Sequence, residues 1–219
     1  MNSESTAKLI SSVRILSFVL LVAALSGCSK PRKEDHATPG AENLLIRERL
    51  EKDEAFKSDQ NSPIPAKDRP GFHGLSYYPY NAKLKFSAVL HRYPAPEHIK
   101  LSTNTGEIRR GLRYGYFDFQ VEDTMCRLQV YRLEDAPEGS ASLFIPFRDS
   151  TSGQETHAAG RYMDLKENTS GIYELDFNRA YNPYCAYNSD FSCPVPPAEN
   201  KLSVPIRAGE KAYPSGPVH

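Results

Sequence analysis

The stretch from Asp176 to Glu210 sets the hardest limit on how this chain can fold. It reads Asp176-Phe177-Asn178-Arg179-Ala180-Tyr181-Asn182-Pro183-Tyr184-Cys185-Ala186-Tyr187-Asn188 and, a few residues on, Cys193-Pro194-Val195-Pro196-Pro197-Ala198-Glu199-Asn200. Each proline removes a backbone donor and pushes its predecessor out of helical geometry, so no regular helix runs through the segment. Within a compact domain such a segment is expected to be a specifically folded loop, the kind of element on which binding and catalytic groups tend to sit.

The other end of the chain is a targeting segment. Lys8 and Arg14 form a short basic region, and Ile15 to Leu25 is an apolar run too short to span a bilayer comfortably. It closes on Leu25-Ser26-Gly27-Cys28, which looks like a bacterial lipobox. That resemblance implies removal of residues 1–27 as a lipoprotein signal peptide and lipidation of Cys28 on its sulfur. The body would then be membrane-tethered and face an extracytoplasmic, oxidising space. Ser29 resembles the outer-membrane sorting class, which implies the periplasmic face of that membrane if the organism has one. Residues 28–40 read as a polar tether, and 41–219 as a single domain, long enough to bury roughly 70% of its unfolded surface.

Basic and acidic residues balance, 27 against 27, without long single-sign runs. Nucleic acid is therefore not expected as a partner, because phosphate binding needs a concentrated basic face. Thr38-Pro39 reads as a helix start, and Ala41 to Lys57 as one helix whose apolar stripe, Leu44, Leu45, Ile46, Leu50 and Phe56, is ragged. From Lys83 the apolar period becomes two. Strands are expected over 83–90, 98–103, 114–121, 126–131, 142–147, 162–165, 172–176 and 202–206, with turns at Asn104-Thr105-Gly106 and Glu122-Asp123 and loops at 134–139 and 166–171. The fold class is mainly β, an antiparallel barrel or sandwich of about eight short strands with one N-terminal helix.

Two polar-rich segments punctuated by Gly or Pro bracket the later strands: Phe147 to Tyr162, and the loop from Asp176 to Asn200. Within them Gly160-Arg161-Tyr162-Met163-Asp164-Leu165, the two loop motifs above, and Ala208-Gly209-Glu210-Lys211 resemble the signature of an uncharacterised bacterial family, a domain of unknown function often found in secreted or lipidated proteins. The likeness is specific over the last third of the chain and looser from Phe72-His73-Gly74-Leu75 onward. It implies one compact domain and marks the same loop, and it supplies no reaction. Members of the family often carry an aromatic where this chain has His157, which argues against a shared catalytic role for that histidine.

The residues themselves point to a polar pocket at one end of the barrel, lined by Asp149, Thr151, Thr156, Arg161, Asp176, Asn178, Tyr181, Asn182, Glu199 and Asn200. Carboxylates, amides and a guanidinium suit recognition of a hydroxylated or carboxylated small molecule. The same groups are equally able to satisfy one another, with Arg161 paired to Asp149 or Asp176 and the asparagines closing loop backbone. Three function classes follow: a lipid-anchored envelope protein that binds a small polar ligand or envelope component, a glycan hydrolase using Asp149 with Asp176 or Glu199, and a structural envelope protein. A Cys185 nucleophile with His157 and Asp176 is a further enzymatic arrangement. Tyr77, Tyr78 and Tyr80 read as a local packing cluster or an aromatic surface. His73, His91 and His98 lack ligand spacing, and no metal or cofactor is expected. Cys126 lies on the apolar side of a strand and reads as a core thiol. Cys185 and Cys193 read as a disulfide closing a small loop, worth roughly 2–3 kcal/mol, with two free thiols as the alternative. A thiol count on the unreduced mature protein checks the bridge, and more than one reactive thiol counts against it.

Overall fold

The computed structural model describes residues 39–135 and 143–214. The signal peptide, Cys28, the tether up to Thr38, most of the 134–139 loop and the first residue of the expected 142–147 strand lie outside the described residues.

Helix α1 spans Pro39–Ser58, with proline at its first position, where the missing amide costs nothing. The expected apolar stripe does not form its buried face: Leu45 and Phe56 are buried, whereas Leu44, Ile46 and Leu50 face outward. The residues turned inward are Leu45, Glu48, Arg49, Lys52, Asp53 and Phe56, a clean helical stripe that is mostly charged. Its charges are bonded: Asp53 accepts the Leu75 amide at 3.0 Å, and Arg49 donates to the carbonyls of Tyr78 and Asn178 at 3.0 and 3.1 Å.

The sheet has six strands: β1 (Lys85–Ser102), β2 (Ile108–Val121), β3 (Thr124–Leu133), β4 (Leu143–Phe147), β5 (Arg161–Leu165) and β6 (Ile172–Asp176). Their order is β5-β4-β3-β2-β1-β6, and every pairing is antiparallel. The sheet curls into a half-barrel, in keeping with a mainly β barrel-like domain with one helix. Three of the eight expected strands need correction. The runs 83–90 and 98–103 are one long strand, β1, whose register slips between Arg92 and Glu97. Pro94 and Pro96 fall in that slip, where their missing donors interrupt the ladder without ending the strand. The segment 202–206 is not a strand; it runs beside Arg148 and Ser150, with Leu202 N donating to Arg148 O at 2.8 Å and Ser150 N to Val204 O at 3.2 Å. The Glu122-Asp123 turn forms as expected and joins β2 to β3, with Glu122 at φ 51°.

The chain leaving β6 closes the curl. After a 3-10 turn at Phe177–Arg179 it reaches β5, where Tyr162 and Tyr181 exchange backbone hydrogen bonds of 2.8 and 3.0 Å. Phe177 is thereby driven into the barrel interior, its ring 6.1 Å from Phe86, 5.3 Å from Phe119 and 5.4 Å from Phe147. Gly209 holds the return segment against that turn at φ 76°; a Cβ there would strike the carbonyl oxygens of Ala180 and Phe177.

The expected Cys185–Cys193 bridge is not formed, and both residues are free thiols. They are neighbours, with the Cys185 amide donating to Cys193 Sγ at 3.3 Å. Cys193 is also tied to the 104–106 turn: its N donates to Asn104 Oδ1 at 2.7 Å and Asn104 N donates to Cys193 O at 3.1 Å. Cys126 is buried among core side chains, as its strand position implies.

Phe177→Ala is expected to cost about 3–5 kcal/mol in chemical denaturation, because it opens a cavity among three aromatic rings that cannot collapse onto it.

Candidate functional site

The ten residues expected to share one pocket fall into separate places. The first group centres on Arg161, the opening residue of β5, which is fully buried. Its Nη2 donates to Asp149 Oδ2 at 2.9 Å and to Ile206 O at 2.7 Å, and its Nη1 to Glu210 O at 3.1 Å and to Ala208 O. Asp149 Oδ1 accepts from Thr151 N at 2.8 Å, Thr151 Oγ1 at 2.6 Å and Ile206 N at 3.2 Å. Thr151 and Thr156 share a hydroxyl contact of 2.9 Å. A buried guanidinium and carboxylate must be answered by protein groups; here four acceptors take the terminal nitrogens of Arg161, while its Nε is buried without a partner. Both oxygens of Asp149 are occupied, so it is in no position to act on a glycan, and Arg161, Asp149, Thr151 and Thr156 form a closed structural cluster.

The asparagines are bonded in the same way, save that Asn182 Oδ1 is buried without a partner. Asn178 Oδ1 accepts the Asn81 amide at 2.8 Å, while its Nδ2 donates to Asn81 O at 2.9 Å and to Asp176 Oδ1 at 2.8 Å. Asn200 joins β3 to β4 by accepting Gln129 N at 2.7 Å and donating to Gln129 O at 2.9 Å and Pro146 O at 2.7 Å. Asn182 N donates to Glu210 Oε2 at 2.9 Å. Glu199 lies apart from these, accepting from Arg113 at 2.9 Å and from the Tyr131 hydroxyl at 3.0 Å. The Tyr181 hydroxyl bonds Asp164, whose carboxyl is raised above the usual range by burial. No hydrogen bond joins Cys185, His157 and Asp176 among the described residues; burial, and then the Arg148 charge, lower the His157 pKa. Of the three tyrosines after Leu75, Tyr78 is buried and bonds Glu155 at 3.0 Å, and Tyr77 lies beneath α1.

Two of the ten, Asn178 and Tyr181, border a cleft of about 220 Å³ between α1 and the segment that closes the sheet. From α1 come Leu45, Glu48, Arg49 and Lys52; opposite lie Tyr77, Asn178, Arg179, Ala180, Tyr181 and Glu210. Glu210 is almost fully buried and accepts from Lys52 Nζ at 2.5 Å, Asn182 N at 2.9 Å and the Tyr187 hydroxyl at 2.5 Å. Arg179 pairs with Glu48 at 2.5 Å. Arg49 lies over the Tyr77 ring, 4.4 Å from its centroid, and burial lowers its pKa somewhat. Its Nε and the Tyr77 hydroxyl are both buried without a hydrogen-bond partner. Burial, and then the Glu210 carboxylate, hold the Tyr77 pKa far above the phenol range. Arg49, Lys52 and Glu210 were not among the pocket residues expected from sequence, and Tyr77 was marked only as part of an aromatic cluster. Glu210 carries a signal, its place in the Ala208-Gly209-Glu210-Lys211 motif, whereas the α1 cations carry none, because hydropathy places charged residues outward.

Residues 70–211 match the model of a family described as proteins of unknown function, DUF1684. The chain is also similar to an uncharacterised protein of Haloarcula marismortui solved in solution by NMR. The two are 36% identical, the alignment covers 82% of this chain and 97% of that one, and the TM-score is 0.62. No curated protein matches the chain.

Arg161→Met is expected to lower unfolding free energy by about 3–5 kcal/mol, since it strands Asp149 as a buried unpaired charge. Urea titration checks it, and Asp149→Asn added to Arg161→Met is expected to recover part of the loss.

Proposed function

The chain belongs to the DUF1684 family, whose function is unknown, and from that premise we propose that it is a lipid-anchored, extracytoplasmic domain that binds a small polar ligand in the cleft beneath α1. The observation that carries the ligand reading is the contrast between two polar clusters. Around Arg161 the polar groups bond one another, whereas beneath α1 charged side chains border about 220 Å³ of space. Pockets that bind small molecules join a few convergent polar groups to an otherwise apolar wall. Here Leu45, Ala180 and the Tyr77 ring supply the wall, and Arg49, Lys52 and Glu210 the polar groups.

The anchor rests on Leu25-Ser26-Gly27-Cys28 and the basic and apolar regions before it. Lipid on Cys28 would make the membrane the standing partner of the domain and set the ligand among envelope solutes. Among the described residues no helix is long and apolar enough to cross a membrane, so attachment would depend on that lipid.

Two measurements test this. Cys28→Ser is expected to move the protein from the membrane to the soluble fraction; unchanged partitioning refutes the lipid anchor. In a thermal-shift screen of envelope metabolites, a ligand at a hundred times its Kd adds about 2.7 kcal/mol, roughly 5–10 °C in Tm for a domain of this size. The expected hit stabilises wild type and fails to stabilise Arg49→Ala. A hit that shifts both equally places the ligand elsewhere.

A further inference from the structure

We propose that the outward side of α1 docks on the bilayer to which Cys28 tethers the chain, with Ile46 and Leu50 entering the headgroup region. This rests on the lipid anchor read from Leu25-Ser26-Gly27-Cys28 and assigns the domain the face it turns to the membrane.

Helix α1 is polarised against the usual order. A surface helix buries an apolar stripe and turns its charges to water. Here Arg49, Lys52 and Asp53 turn inward and are bonded there, while Leu50 is 63% exposed, Ile46 46% and Leu44 39%. Single exposed aliphatic residues are ordinary. Three of the eight large exposed apolar residues among those described, however, fall within positions 44–50 of this one helix. Ile46 and Leu50 lie one turn apart and share a side with Asn43 and Lys57, whereas Leu44 sits on the opposite shoulder. The bonds that hold α1 to the domain are made through its other side, so burying Ile46 and Leu50 against a further surface disturbs none of them.

The chain before the helix decides what that surface is. Ten residues, 29–38, separate Cys28 from α1. Fully extended, they reach at most about 40 Å, little more than the roughly 30 Å length of a twenty-residue helix. A lipid on Cys28 therefore keeps the first turn of α1 within that distance of the headgroups, at an effective concentration on the order of millimolar. A face too weak to hold a free protein on a membrane is then occupied for much of the time. A soluble partner has no comparable advantage.

Charge decides the kind of attraction. The exposed charges of α1 are Arg47 and Lys57 against Glu42, Glu51 and Glu54, so its outer side carries no positive excess for anionic headgroups. Docking is then driven by apolar burial, which neither selects headgroup charge nor is screened by salt. The stems of Arg47 and Lys57 are long enough to lie along the acyl boundary with their charges in water.

The chain has no tryptophan, so one placed on α1 reports that helix alone. The test reconstitutes the full-length lipidated protein, purified from membranes in detergent, into phosphatidylcholine vesicles whose acyl chains are brominated near the headgroup. Leu50→Trp is expected to lose about half its emission relative to unbrominated vesicles, the occupancy of a face whose dissociation constant is near its effective concentration. Met125→Trp puts the same indole at a 68% exposed site on β3 and is expected to stay unquenched. Ile46→Gln added to Leu50→Trp is expected to reduce the quenching, and sodium chloride to leave it unchanged. Quenching that survives Ile46→Gln, or that salt abolishes, overturns apolar docking by this pair. Equal quenching at Met125 also overturns it, because the contact then belongs to the indole or to the sheet. So does unquenched Leu50→Trp on vesicles that carry the protein; a blue shift there with rising protein density puts a second copy of the chain on this face. If Cys28 carries no lipid and the protein does not float with the vesicles, the anchor fails and the docking with it. A protein that floats with Leu50→Trp unquenched loses the docking alone.

Discussion

The fold depends on the burial of one guanidinium. Arg161 begins an edge strand, and its side chain reaches the carbonyls of Ile206, Ala208 and Glu210 as well as the carboxylate of Asp149. An arginine removed from water must find acceptors for most of its donors, and its rigid planar fork dictates where they stand. The C-terminal segment, which forms no strand, is therefore held at three alternate residues by a single side chain. The clamp acts together with backbone bonds from Tyr78 N to Gly209 O and from Glu210 N to Ala180 O, which keep Glu210 under α1.

From that clamp the cleft follows in two steps. The segment after β6 crosses to β5 and shuts the curl, carrying Asn178, Ala180 and Tyr181 with it. The C-terminal segment then lies across this closure, with Glu210 N bonded to Ala180 O at 2.9 Å and Gly209 O to Tyr78 N at 2.9 Å. Helix α1 docks on top through a charged stripe rather than an apolar one. Polar docking fills space less completely than apolar side chains do, since charged groups need directed partners at fixed geometry. That is why a cleft remains there while the barrel interior around Phe177 is filled by rings.

Much of the scaffold was legible in the chain. Alternation located the strands because a half-buried sheet enforces a period of two, and the Glu122-Asp123 turn was marked by polarity between apolar runs. The strand count was overestimated where Pro94 and Pro96 interrupted the pattern of β1 without ending it, and where Leu202 to Ile206 alternates for packing without pairing. The α1 stripe was misassigned because Arg49, Lys52 and Asp53 count as outward residues on a hydropathy scale, yet each has a specific partner inward. The polar segments fold as specific loops with 3-10 turns, but their residues, expected to converge, do not. Asp149, Arg161 and the threonines turn to one side of the closing segment, Asn200 bridges two strands, and Glu199 faces Arg113 across the surface.

By itself the sequence determined the mainly β class, the single N-terminal helix, the Arg161–Asp149 pairing as one of two options, and the closeness of Cys185 to Cys193. These are local or pairwise matters, decided by hydrophobic period, proline and glycine chemistry and the need to satisfy buried charge. Tertiary structure alone decided that the two sulfurs stay unjoined while Asn104 holds Cys193. It also decided that the open polar space lies under α1 and not among the loop residues themselves. A cleft is what remains after distant segments have packed, here residues near 49, 77, 180 and 210, and no local pattern records which donors that packing leaves unanswered.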